Sequence, residues 1–314
     1  MAASEKYKPK TNWNQTAFEK LKATWSPERI AEDEKTLQNI FALAADCPLL
    51  TEALEWAQQH DIKFFIDRNA VNCGAYYTLS TGVMALTAKT ATDLDVTLAV
   101  GSVVHEIRHA WQDYYGLVGC DTEPFSGDYR RSFINTALIE ADALAYGLRA
   151  KDQYRAALAK KRGWPVPSAI QKTLPDENAD LGRKFLTWFS NRNSHTQFYG
   201  EKLSKFFGRK WDVYEGAQPE RRNELSLTKL QLDGINIDNI QDVLRLGVNF
   251  SGTKNYLAAM QPDILPKRIL RPWLAGTFWG TANSNQRKLT AAIRKASLKK
   301  KLVPENRKPR HPWP

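Results

Sequence analysis

Apolar positions recur along this chain with two different periods, and the change from one to the other divides it. Between residues 17 and 59 they fall at helical spacing, with Leu37, Ile40, Phe41 and Ala44 returning every three or four positions. Ser26-Pro27-Glu28-Arg29 reads as a helix start, serine at the cap and proline in the first turn. A second, shorter helix is predicted after Pro48, clearest over residues 54–59. At residue 62 the pattern becomes strand-like. Residues 62–67 (IKFFID) predict a strand, and 75–79 and 83–87, joined by Ser80-Thr81-Gly82, predict a β-hairpin. Helical spacing resumes over residues 97–115, with Asp93 and Asp95 as candidate caps before it and Gly116 as a stop. Residues 116–128 read as a loop and 131–162 as a long helix. Residues 163–180 read as a Pro-rich connection, followed by helical stretches at 181–207, 225–232 and 240–246. The region 262–280, with Trp273 and Trp279 among prolines and glycines, reads as extended chain on a surface. No internal repeat is visible. The pattern predicts an α+β fold: a small sheet with a hairpin, set among helices.

The helix over 97–115 carries the chemistry. His105-Glu106-Ile107-Arg108-His109 spells H-E-x-x-H, in a chain with only 5 His. Positions i and i+4 share one helical face, so His105 and His109 direct two imidazoles at one point, as the first two ligands of a zinc ion require. Glu106 adjoins the first histidine, where a carboxylate can act as general base toward water. Val103, Val104, Ile107 and Trp111 are the apolar neighbours of a buried helix, and no Pro or Gly interrupts residues 102–115. Arg108 falls on another face and is expected to pair with an acid.

Two histidines leave a catalytic zinc site one protein ligand short. His60, His195 and His311 are not spaced as a third motif histidine. Gln112 and Tyr115 stand where H-E-x-x-H-x-x-G-x-x-H asks for Gly and His. A carboxylate on the second long helix is the alternative. Glu140 lies among Leu138, Ile139, Ala141 and Ala143, where burial is costly unless it is paired with a cation. Asp142 is its rival as ligand, or an acceptor behind the ligands.

On these strings the chain resembles the gluzincin metallopeptidases. H-E-I-R-H followed by E-A-D-A-L-A-Y-G matches their arrangement of two motif histidines and a downstream helical glutamate. The second element is similar to the E-A-x-A-x-x-F-A pattern of ImmA/IrrE-like peptidases. H-E-I-R-H-A-W-Q resembles more closely still a bacterial family of uncharacterised metallopeptidase-like domains. Where relatives often carry Asp or Asn four residues after the glutamate, this chain has Leu144, which leaves open what orients the first histidine. The resemblance covers residues 62–150. It implies a zincin-like core, one Zn2+ held by His105, His109 and Glu140, and hydrolysis of peptide bonds with Glu106 as base. His195, Tyr199, Tyr146 and Tyr77 are candidate donors to the oxyanion. In the resembling enzymes an edge strand pairs with extended substrate, which points to Val83, Met84 and Ala85; Gln112 is expected to line the cleft.

Composition and charge narrow the surroundings. Apolar content of 42% and aromatic content of 11% suit a globular protein of 314 residues. No apolar run approaches the roughly 20 residues that span a bilayer. Residues 1–16 are polar, without the apolar core of a signal peptide. Cys47, Cys73 and Cys120 are few and odd in number, which suits reduced thiols. A cytoplasmic protein, or one secreted without a signal peptide, is expected. The net charge of +11 is concentrated: residues 287–314 hold ten Lys or Arg and one acid, leaving about +2 for the rest. That tail is expected to be solvated, or to engage an acidic partner, nucleic acid or an anionic membrane. The expected organisation is a helical cover (1–61), a catalytic core (62–162), a helical subdomain (163–286) and the basic tail (287–314). The expected activity is that of a zinc metallopeptidase acting on protein or peptide. A nucleic-acid-binding or regulatory protein with a non-catalytic zinc site, and a hydrolase of non-peptide amides, are the alternatives.

Overall fold

The computed structural model of the chain describes residues 13–70, 73–92, 96–118, 129–190, 235 and 240–260. The predicted helix at 225–232, the region 262–280, Cys120 and the basic tail lie outside the described residues. The elements run α1 (Thr16–Lys22), α2 (Pro27–Phe41), α3 (Pro48–Gln59), β1 (Lys63–Asp67), β2 (Ala75–Thr78), β3 (Val83–Thr87), α4 (Ala88–Thr92), α5 (Val96–Tyr114), α6 (Tyr129–Lys161), α7 (Ser168–Thr173), α8 (Glu177–Ser190) and α9 (Ile240–Leu244). The architecture is α+β as expected: mostly helix, with one three-stranded sheet. No helix among the described residues is long and apolar enough to cross a membrane.

Local signals explain most boundaries. The Ser26 side chain accepts from the Arg29 amide and so caps α2, with Pro27 in its first turn. Pro48 opens α3 in the same way. The connection at 163–180 is more ordered than its prolines suggest. Pro167 is the N-cap of α7, and the Asp176 carboxylate accepts from the Ala179 amide at the start of α8. The prolines there start helices, because a helix's first residues have no intrahelical use for an N–H.

The sheet has strand order β1-β3-β2. The hairpin forms as predicted, Ala75 opposite Leu86 and Thr78 opposite Val83 in antiparallel register. β1 then pairs with the other side of β3 in parallel, Lys63 beside Val83 and Asp67 beside Thr87. β3 is therefore central, and the expectation that Val83, Met84 and Ala85 form a free edge is corrected. Its amides and carbonyls are engaged by neighbours on both sides, and all five of its residues are buried. Among the described residues the sheet edges are β1 and β2. Trp13 lies over the hairpin turn, where Gly82 has φ +63 and a Cβ would come within 2.5 Å of the indole.

Among the described residues the larger of two apolar clusters runs from Leu37 of α2 to Leu257, through Leu50, Met84, Val104, Leu138 and Phe185. Helix α5 passes through its middle. Val100, Val103, Val104, Ile107 and Ala110 on it are fully enclosed, which anchors the H-E-x-x-H segment rigidly.

Candidate metal centre

Helix α5 presents His105 and His109 one turn apart, with their Nε2 atoms 3.1 Å from each other. Glu140 arrives from α6, its Oε2 at 3.6 Å from His105 Nε2 and its Oε1 at 3.5 Å from His109 Nε2. Ligand atoms of all three lie within 4.8 Å of one another, a group able to hold a metal ion. Tetrahedral zinc with bonds of about 2 Å places its donors roughly 3.3 Å apart. The observed separations of 3.1, 3.5 and 3.6 Å are of that size. The ligand side chains are 13–27% exposed, so the site meets solvent.

A pair of glycines brings the two helices this close. A Cβ on Gly147 of α6 would come within 2.7 Å of the Gly101 carbonyl oxygen and 3.2 Å of His105 Cβ. A Cβ on Gly101 would come within 3.1 Å of the Gly147 carbonyl oxygen. Each glycine gives up helix propensity, about 1 kcal/mol against alanine, for backbone contact. The signal in the sequence is glycine inside two otherwise strong helical patterns, which usually marks a packing reason.

The electrostatics of the cluster are those of a site short of positive charge. Burial and the neighbouring His109 push the His105 pKa down to about 4. Burial also pulls on His109, but the charge and hydrogen bond of Glu140, the charge of Glu106 and Gln112 outweigh it and push His109 up to about 10. Burial, opposed by His109 and reinforced by the charge of Glu140, pushes Glu106 up to about 7. Two imidazoles and two carboxylates thus crowd together, a donor set that a cation would satisfy. Glu106 lies with Oε1 3.9 Å from His105 Nε2 and is hydrogen-bonded to the backbone of Tyr77 on β2.

Behind the ligands lies a second polar layer. The outer face of His105 meets the backbone of Ala143. His109 Nδ1 is 2.8 Å from Gln112 Oε1, and Gln112 Nε2 donates to the Ile139 carbonyl at 3.0 Å and to Asp142 at 2.7 Å. Gln112 is fully buried, so it lines no cleft; its amide faces back into the protein. Asp142 is not a rival ligand. Its carboxylate accepts from Arg108 Nε at 2.7 Å, from Gln112, and from the Tyr256 hydroxyl at 2.8 Å. Arg108 pairs with an acid as expected, but in full burial and between the rings of Trp111 and Tyr146, at 3.9 and 4.0 Å. It also donates to the Leu246 and Val248 carbonyls.

Neither described tyrosine candidate for the oxyanion, Tyr146 or Tyr77, is free at the site. The Tyr146 ring covers Arg108 and is fully buried, and the Tyr77 hydroxyl donates to Asp113 at 2.8 Å. His195 and Tyr199 lie outside the described residues. A cavity of about 630 Å³ between α8 and residues 256–260 is lined by Asp176, Arg183 and Met260 among others; none of the four site residues reaches it. Compared with protein-family models, with curated proteins and with solved structures, the chain finds no match.

Proposed function

We propose that the chain is a zinc-dependent hydrolase of peptide bonds, with a zincin-like core built on α5, α6 and the small sheet. The observation that carries this reading is the triangle of His105, His109 and Glu140 at zinc-ligand separations, with Glu106 buried beside it. The donors are two nitrogens and an oxygen with no sulfur, the set of catalytic zinc sites of the His2Glu type. When bound, the ion supplies Lewis acidity: it polarises a carbonyl and makes water acidic at neutral pH.

The chain's own groups supply the rest. Glu106, buried beside the ligand group, is placed to accept and release a proton. It takes one from the attacking water and delivers it to the departing amine nitrogen. The backbone contact from Tyr77 keeps its carboxylate turned to the ligand group. A site that only stores a structural ion has no use for such a base, which argues against the non-catalytic alternative.

The strand that serves an extended substrate, on this reading, is β2 and not β3. β2 is a sheet edge, it packs against α5, and its Tyr77 backbone touches Glu106. An extended peptide laid along that edge gains main-chain hydrogen bonds and brings its backbone to the base.

The test is a comparison of the wild type with Glu106→Gln, both loaded with zinc and offered a proteome-derived peptide library. The wild type cleaves. The variant keeps its zinc and loses hydrolysis by at least about 100-fold. A variant as active as the wild type contradicts Glu106 as base, and a zinc-loaded wild type that cleaves nothing contradicts the peptidase reading.

A further inference from the structure

His105 and His109 are held from behind in different ways. His105 is supported by the backbone of Ala143, which no side-chain substitution removes. The outer nitrogen of His109 meets a side-chain amide, and that amide is held in one orientation by its other contacts. We propose that Gln112 is a positioning residue for the metal centre: it fixes His109 as the tautomer with its proton on Nδ1, so that Nε2 offers its lone pair to the ion. The inference rests on the metal-centre reading above.

The two ends of a glutamine amide are alike in shape, so neighbours decide which is which. One end of Gln112 lies 3.0 Å from the Ile139 carbonyl oxygen and 2.7 Å from an oxygen of Asp142. The carbonyl can only accept, and the Asp142 carboxylate is ion-paired with Arg108 at 2.7 Å. That end must therefore be the NH2 group. Oε1 then faces His109 Nδ1 at 2.8 Å, and an acceptor there demands N–H from the ring. The nitrogen left for the ion is Nε2, the one that faces His105 Nε2 and Glu140.

The amide cannot readily turn over, because what holds it is itself held. Asp142 Oδ1 accepts from the Tyr256 hydroxyl and Arg108 Nη2, while Oδ2 accepts from Arg108 Nε and Gln112. These occupy about four lone-pair directions of a carboxylate. Arg108 is in turn pinned to the Leu246 and Val248 carbonyls. The setting of one ligand ring is thus determined from α6 and from residues 246–256. Partners of this outer layer are worth about 10–100-fold in metal affinity when removed.

The experiment uses the full chain with Zn2+ and Co2+ as probes. Gln112→Met keeps length and bulk but neither accepts strongly nor donates. It is expected to bind Zn2+ about 10–100-fold more weakly in competition with a chromophoric chelator. Its Co2+ complex should show an altered visible spectrum, a change that loosened packing elsewhere does not produce. Long-range ¹H–¹⁵N NMR of the zinc-loaded wild type reads the tautomer with no variant, so the test survives a variant that fails to fold. Protonated Nδ1 and metal-bound Nε2 on His109 are expected. The opposite tautomer overturns the proposal. So does a folded Gln112→Met protein with wild-type affinity and spectrum. A wild type that binds neither ion overturns the metal-centre reading itself, a result distinct from both.

Discussion

Helices α5 and α6 carry two neighbouring polar clusters, and they are opposites. Arg108 and Asp142 are completely enclosed, and the carboxylate is surrounded by donors from three directions. His105, His109 and Glu140 are partly open to solvent, and one carboxylate and two imidazoles converge there at 3.1–3.6 Å. The first cluster balances its charges within the protein, Asp142 against Arg108. The second, as we propose, is completed by a cation. Buried charge alone therefore does not mark a functional site; the informative sign is a set of ligands whose mutual demands only a bound group can meet.

That contrast can be broken most forcefully at Asp142 and Glu140, two residues apart on one helix. Asp142→Ala leaves Arg108 buried without its counter-charge and should cost about 3–5 kcal/mol in urea unfolding. Glu140→Gln should cost the zinc-free protein less than Asp142→Ala does, yet abolish the stabilisation that added zinc gives the wild type. Equal penalties at the two positions would erase the distinction between a structural and a ligand cluster. A smaller effect is expected where the helices cross. Gly147→Ala drives a methyl against the Gly101 carbonyl and His105 Cβ, and should cost about 1–3 kcal/mol. It should also weaken zinc binding by displacing His105 relative to Glu140, which a titration with chelator would read. A loss of stability with undiminished zinc affinity would show that the glycine contact serves packing alone.

How far the sequence foretold this depends on the range of each interaction. His105, Glu106 and His109 were legible because one helix turn brings them together, and helical periodicity is local information. The hairpin was legible for the same reason, with its turn residues at 80–82. The place of β3 was not. Its centrality comes from β1 pairing on its far side, a non-local choice that alternating apolar residues do not encode. The full burial of VMALT was the available hint, since a strand enclosed on both faces is seldom an edge. Glu140 was legible as a carboxylate with too little polar company. Arg108 and Gln112 were not, because a charged or amide side chain in a helix normally signals water, and only the return of residues 246–256 over α5 and α6 buries them.

The central claim is that His105, His109 and Glu140 hold one zinc ion. It is tested most directly by metal analysis of the purified wild type and a His105→Ala/His109→Ala double variant, each exposed to excess zinc and then freed of loosely bound metal. The account predicts close to one zinc per chain in the wild type and essentially none in the variant. A wild type without zinc, or a variant that retains the wild-type amount, would contradict it.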